Sequence, residues 1–493
     1  MQKLPGLALL LLLLVCQKAN TDSQISCPYR CHCFTSAQIL CGDGGISYLP
    51  RNVSRKVKEF ILMSSDLQYL FSHTLAESTQ LTKLVFLNNA LRSIHSQAFE
   101  HLAELQELEI SGNSRLDNLF PGTFEKLGNL TRLMLNYNAF KSMPPGMFDS
   151  LTQLETLQMR GNILSDLPPF LFRSLCNLFV LDLSLNKLTG SNLTADTFQN
   201  VSRLTELHLE GNNISELPDD VFFVLTELKV LNLRGNLLTA FSDRVFGFKA
   251  SNLNELNLKG NKLKQLHPLG GLSSISNLVL SSNKLSSLPE EIFWNLTSLE
   301  YLDLSENQLA SLPGTIFNGL LGMKTIHLNH NNLEPTGTPE MFEDQVLVEQ
   351  LFLSNNRLEA LPPGLLDHFT MQYTMRLHGN PWKCDCHMRY LHDFVLENSQ
   401  NVETLDRMLC ESPVFLKKRP VASIKRDQLV CSFSNGLGRC SQETHNHTTV
   451  FKCKVDKCSR MTVKVQFEED DGSVKEHVLN LQPELSHCRN ETT

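Results

Sequence analysis

The chain has 493 residues, 41% hydrophobic and 19% charged, a composition that excludes wholesale disorder. Its 44 Lys and Arg stand against 52 Asp and Glu, and the net charge of −8 argues against a polyanion binder such as a nucleic-acid protein. Aromatic content is mostly Phe, 28 residues against 7 Tyr and 2 Trp, so any aromatic packing is expected to be built on Phe.

Residues 1–20 begin with Lys3, run apolar from Leu7 to Val15 and turn polar at Gln17–Asn20, the layout of a secretory signal peptide too short to span a membrane. No later window holds 18 apolar residues, and residues 486–493 lack the hydrophobic tail of a lipid-anchor signal. A secreted, extracellular chain without a membrane anchor is therefore expected. Eight Asn-x-Ser/Thr sequons, at Asn52, Asn129, Asn192, Asn200, Asn213, Asn295, Asn446 and Asn490, fit that route and predict a glycoprotein.

Besides Cys16 in the leader, the cysteines fall into three groups of four plus Cys176. Cys27, Cys31, Cys33 and Cys41 come first; Cys384, Cys386, Cys410 and Cys431 follow much later; Cys440, Cys453, Cys458 and Cys488 lie in the tail. In an oxidising compartment each group reads as two disulfides. Zinc is the weaker reading of these cysteines, although His32, His387, His445 and His447 lie close by, because secreted thiols oxidise and Cys-x-Cys is not zinc-ribbon spacing. Cys176 is either a free thiol at least partly buried or one half of an intermolecular bridge.

Between the first two groups the pattern Leu-x-x-Leu-x-Leu-x-x-Asn recurs, starting at Val57, Leu81, Leu105, Leu130, Leu154, Leu178, Leu204, Leu228, Leu253, Ile275, Leu299, Met323, Val348 and, degenerately, Gln372. These fourteen units, spaced 24 or 25 residues apart except for one of 26 and one of 22, fall within the range of leucine-rich repeats. Such spacing predicts an α/β solenoid, a horseshoe whose short strands stack into a curved parallel concave sheet. The asparagine recurs in every unit but the first, where Ser65 stands, and is expected to satisfy backbone groups where the chain leaves the strand. Phe99, Phe124, Phe148, Phe172, Phe198, Phe222, Phe246, Phe293, Phe317 and Phe342 form a second ladder, expected on the outer side. The segment His267–Ser274 has no such Phe and could kink the curvature.

Outward strand positions line the concave face, where a horseshoe usually places its function. At the N-terminal end these include Ile61, Met63, Val85 and Leu87, four apolar side chains beside the acidic Glu107 and Glu109. The functional reading is a partner-binding patch; the alternative is that a cap or loop covers it. Asp182, Glu206, Glu210 and Glu255 farther along read as solvated charge. His208 beside Glu206 and Glu210 is the nearest approach to a catalytic group, and it lies on an open strand. No Gly-x-Ser-x-Gly, His-Glu-x-x-His, phosphate-binding or dinucleotide-binding signature occurs. The chain is expected to be no enzyme and is assigned no catalytic, metal or cofactor-binding residue.

The expected divisions are a signal peptide over 1–20, a cysteine-rich cap over 27–56, repeats over 57–380, a second cap over 381–431 and a tail over 432–493. In that tail the β-rich runs Met461–Phe467 and Val474–Leu481 suggest a small disulfide-stapled module with three possible pairings. Cys27-Pro-x-x-Cys-x-Cys with Cys41, and Asn380-Pro381-Trp382-x-Cys384-x-Cys386 with Cys410 and Cys431, resemble the two caps of extracellular leucine-rich repeat proteins. That resemblance implies the pairs Cys27–Cys33, Cys31–Cys41, Cys384–Cys410 and Cys386–Cys431.

Three stretches narrow the resemblance. Cys27-Pro-Tyr-Arg-Cys-His-Cys-Phe34, the consecutive runs Leu81-Thr-Lys-Leu-Val-Phe-Leu-Asn88 and Leu105-Gln-Glu-Leu-Glu-Ile-Ser-Gly112, and Leu377-His-Gly-Asn-Pro-Trp-Lys-Cys-Asp-Cys-His387 continuing to Gln428-Leu-Val-Cys431 look like the family of the non-catalytic carboxypeptidase N subunit. In the tail, Val450-Phe-Lys-Cys453 with Cys458 is similar to that family's post-cap segment. The resemblance implies a plasma glycoprotein that carries and stabilises a zinc carboxypeptidase, in assemblies of two catalytic and two carrier chains. The partner would remove C-terminal Lys or Arg from circulating peptides. The other reading is a soluble recognition protein that captures a growth factor or microbial ligand on its concave face; a matrix adhesion protein has no support in the sequence.

Overall fold

The computed structural model describes residues 27–50, 53, 55–248, 250–334, 338–369 and 372–431, and the backbone of four strands between residues 440 and 481. The expected signal peptide, and the sequons Asn52, Asn446 and Asn490, lie outside the described residues.

Each sequence unit contributes one strand to a single 17-stranded sheet. The strands run parallel from Glu59–Met63 through Thr374–Arg376, one for each of the fourteen units. Register matches the repeat, with Leu157, Leu181, Leu207 and Leu231 opposite one another. The alternating side-chain direction of a strand turns those leucines into the core, where each is fully buried. The expected horseshoe is thus the observed architecture.

All thirteen ladder asparagines, from Asn89 to Asn380, are buried. Asn186 shows the pattern: its Nδ2 donates to the carbonyls of Met159 and Leu183, and its Oδ1 accepts from Leu164 N. Apart from Asn113, whose Nδ2 donates to Ser111 O within its own turn and whose Oδ1 has no partner, each amide bridges two turns of the solenoid and satisfies backbone groups there. In the first unit Ser65 donates from both N and Oγ to Asn89 Oδ1. The residue before the ladder position has a positive φ in every unit, from Ser64 at 51° to Gly379 at 73°. The left-handed turn explains why six units carry Gly there, at Gly112, Gly161, Gly211, Gly235, Gly260 and Gly379.

The Phe ladder forms the outer side of the core. Phe99, Phe124, Phe148 and Phe172 stack at centroid distances of 6.5, 6.4 and 6.3 Å. Truncating one of these buried rings to Ala removes about 3–5 kcal/mol of stability. In the segment without a Phe, Leu269 occupies the equivalent position and is fully buried, so the core continues with a smaller side chain. The convex return consists of turns and short 3₁₀ segments such as Ala195–Phe198 and Pro339–Phe342. Among the described residues the α-helix is Arg389–Glu397 in the C-terminal cap. About 24 residues per unit leave no room on the return path for a longer helix.

Both core ends are closed. Cys31–Thr35 and Gln38–Cys41 form an antiparallel hairpin whose second strand pairs in parallel with Glu59–Met63. At the other end Val402–Glu403 adds to the sheet beside Thr374–Arg376, and Trp382 is fully buried with Nε1 donating to Leu377 O. The disulfides are Cys27–Cys33, Cys31–Cys41, Cys384–Cys410 and Cys386–Cys431, as the cap resemblance implied. In the tail, Cys440–His445 pairs with Thr448–Cys453, and Met461–Glu468 with Val474–Leu481, as two antiparallel hairpins. The cysteine pairing expected in that tail lies outside the described side chains.

Candidate partner-binding surface

The concave sheet differs along its length in strand length. The strands Glu59–Met63, Lys83–Leu87 and Glu107–Ser111 have five residues each, whereas the repeat strands that follow have three. Several of the shorter strands end on an Asp or Asn whose side chain bends the backbone: Asp182, Asn232, Asn257 and Asp303 each accept, through Oδ1, a hydrogen bond from the backbone N–H two residues on. The first two units place Ile61 and Val85 at that position, which have no such acceptor, and the strand continues.

The six candidate residues are brought together by that extension. Ile61, Val85 and Glu109 lie opposite one another in register, as do Met63, Leu87 and Ser111 beside them. Ile61, Met63 and Leu87 are half-buried, and no described cap residue covers them completely. Val85 departs from the expected exposure: only 5% of it is accessible, because it is the middle member of a row of parallel strands about 4.8 Å apart. The apolar patch is therefore three accessible side chains around a buried valine. Along its rim Lys83 Nζ lies 2.9 Å from Glu107 Oε1, and Gln38 Nε2 donates to Glu59 Oε2. Burial raises the Glu109 carboxyl above its ordinary value, against the pull of the Ser111 hydrogen bond.

The middle of the face is charged. Arg160 lies within 4.0 Å of Asp182 and 3.7 Å of Glu210, and His208 Nε2 is 3.3 Å from Glu206 Oε2. These groups are all partly accessible on an open sheet, consistent with solvated charge.

Sequence reasoning missed a second constellation at the C-terminal end. Asp303, His327, Phe352, Arg376 and Glu403 occupy one row across five neighbouring strands. His327 and Phe352 stack at 4.4 Å, Arg376 lies 4.0 Å above the Phe352 ring, and Arg376 Nε donates to Glu403 Oε2 at 2.6 Å. Burial lowers the His327 pKa, with Asp303 opposing. The available signal was the fifth position of each unit, where ring and cation stand in consecutive repeats. On the outer side, Tyr48, Tyr69 and Phe71 are exposed and line a groove with Pro50 and His73.

Other sequence-predicted residues stay apart from these patches. The sequons Asn129, Asn200, Asn213 and Asn295 are exposed and Asn192 is half-buried. Cys176 is exposed and unpaired, not buried, because it occupies the outward position between the core residues Leu175 and Leu178. Among the described residues no helix is long and apolar enough to cross a membrane.

The leucine rich repeat family signature matches residues 55–114, 112–164, 153–214, 202–263, 273–333 and 299–358. Carboxypeptidase N subunit 2 of Mus musculus is 37% identical over 76 residues, which is 15% of this chain and 14% of that protein. Immunoglobulin superfamily member 10 of Rattus norvegicus is 32% identical over 94 residues, 17% of this chain and 4% of that one. The matched segments thus span a small fraction of these relatives' length. Toll, in the Drosophila Toll–Spatzle complex, superposes with a TM-score of 0.61 over 78% of this chain and 57% of its own, at 23% identity, a likeness of fold.

Proposed function

The chain belongs to the leucine-rich repeat family, and from that membership we propose that it is a non-catalytic binding subunit of extracellular type that carries and stabilises a secreted basic carboxypeptidase. The partner supplies the chemistry, removal of C-terminal Lys or Arg; this chain supplies a rigid concave docking face and glycans. The observation that carries the reading is the widened N-terminal end of the sheet, where Ile61, Met63 and Leu87 stay accessible around Val85, beside Glu107 and Glu109. An apolar centre with a charged rim is the composition of a protein–protein contact. The segment similar to carboxypeptidase N subunit 2 favours this class of partner.

The test is to isolate the protein without reductant, weigh the complex and assay release of C-terminal Lys or Arg. The expected result is a complex well above the 55.7 kDa of the chain plus its glycans, with chelator-sensitive activity residing in a separate polypeptide. A lone inactive monomer would overturn the carrier reading. It would favour the second one, capture of a protein or microbial ligand on the concave face, for which the His327–Phe352–Arg376 row is the specific feature.

A further inference from the structure

The convex side of the first two units holds a group of side chains that the binding-subunit reading does not use. His73 stands in the outer turn of the first unit, and Glu100 with His101 follows Phe99 in the outer turn of the second. Stacking one unit on the next closes a sequence gap of 28 residues, leaving His73 Nδ1 3.1 Å from His101 Nε2 and 3.6 Å from Glu100 Oε2. The two rings sit 5.3 Å apart at 34°, tilted and not stacked, so that the nitrogens converge. Glu100 Oε2 is buried and makes no hydrogen bond, although its carboxylate belongs to a partly accessible residue. A buried carboxylate oxygen without a donor thus converges with two imidazole nitrogens, three metal-ligating atoms within 4.8 Å of one another.

We infer that His73, Glu100 and His101 form a binding site for a divalent transition metal, Zn²⁺ by its donor set, which staples the outer turns of the first two units. Zinc bonds of about 2.0–2.2 Å to nitrogen and oxygen in tetrahedral arrangement give ligand–ligand edges of about 3.3–3.5 Å. The two separations that involve His73, 3.1 and 3.6 Å, are close to that edge, and all three ligand atoms lie within 4.8 Å of one another. Two imidazoles and a carboxylate suit Zn²⁺ better than Ca²⁺ or Mg²⁺, which take all-oxygen shells. Three protein ligands leave the fourth position to water. His73 is held at φ 54° while its N–H donates to Gln97 O across the unit boundary, so the ligand on the first turn is anchored to the second. The other convergent group, Asp385, Cys386, His387 and Cys431, offers no thiolate because its two cysteines are bonded to each other.

The experiment is calorimetric titration of Zn²⁺ alone into the chelator-stripped, full-length glycoprotein at neutral pH, with Co²⁺ absorption as a reading of coordination geometry. One saturable site per chain and a tetrahedral Co²⁺ spectrum are expected. His101→Gln and Glu100→Gln should each weaken the site by about tenfold or more. His73→Asn should do the same, Asn being chosen because it tolerates the left-handed backbone. Melting temperatures in EDTA that match the parent separate loss of a ligand from loss of the fold, and Glu100→Gln is nearly isosteric should either histidine variant be unstable. No saturable uptake by the parent, or uptake undiminished in folded variants, overturns the site. Either result is independent of whether a carboxypeptidase binds.

Discussion

The two ends of the concave sheet are built from the same repeat yet satisfy their side chains differently. At the C-terminal end each outward group meets the next, His327 stacking on Phe352, Arg376 on Phe352 and Arg376 pairing with Glu403. At the N-terminal end Ile61, Met63 and Leu87 pack around Val85 and beside Leu40 of the cap strand and stay partly accessible, since aliphatic side chains have no directional partner to find. An accessible aliphatic patch gains roughly 25 cal/mol per Å² of apolar area removed from water, and the stacked and ion-paired row has less such area left to bury. Identical architecture thus yields one end whose outward side chains pair along the row and one end with an accessible apolar patch.

The comparison breaks most visibly at Val85. Val85→Asp puts an unpaired charge at a site only 5% exposed, and thermal unfolding should show a loss of about 3 kcal/mol or more. A variant as stable as the parent would mean that the row is open. The double variant Ile61→Asp, Leu87→Asp alters accessible positions instead. It should keep the parent melting temperature within a few degrees while carboxypeptidase affinity falls by about a hundredfold, a hot-spot effect of about 2.7 kcal/mol. Undiminished affinity would move the docking surface elsewhere.

At the other end Arg376→Ala removes a ring contact and a partly exposed ion pair and should cost about 1 kcal/mol of stability with no change in carboxypeptidase binding. Reduced binding would make the C-terminal row part of the interface. The smallest effect is on pH, and it has opposite sign at the two ends. Burial depresses His327, so its contribution is present above the unfolded-state value near 6.5 and is lost as pH falls through the lower folded value. Burial raises Glu109, so its contribution is full below the unfolded-state value near 4.5 and is lost as pH rises through the higher folded value. Hydrogen exchange on acidification should therefore accelerate around Thr325–His327 and slow around Glu107–Ser111 relative to Glu109→Gln. Parallel change at both ends would contradict these assignments.

Much of this molecule follows from counting residues. A leucine spacing repeated fourteen times fixes the strand, its inward face and its parallel neighbours, because each unit can bury its apolar side only against the next. The buried asparagine and Phe ladders were legible for the same reason. Only the tertiary structure decided how far each stands out. Val85 sinks between its neighbours while Ile61 and Leu87 remain accessible, and Cys176 turns outward, because exposure depends on which side chains flank a residue across the stack. The same holds for groups 24 to 28 residues apart: His327, Phe352 and Arg376 become one row, and His73 meets Glu100 and His101, only when consecutive turns are laid side by side.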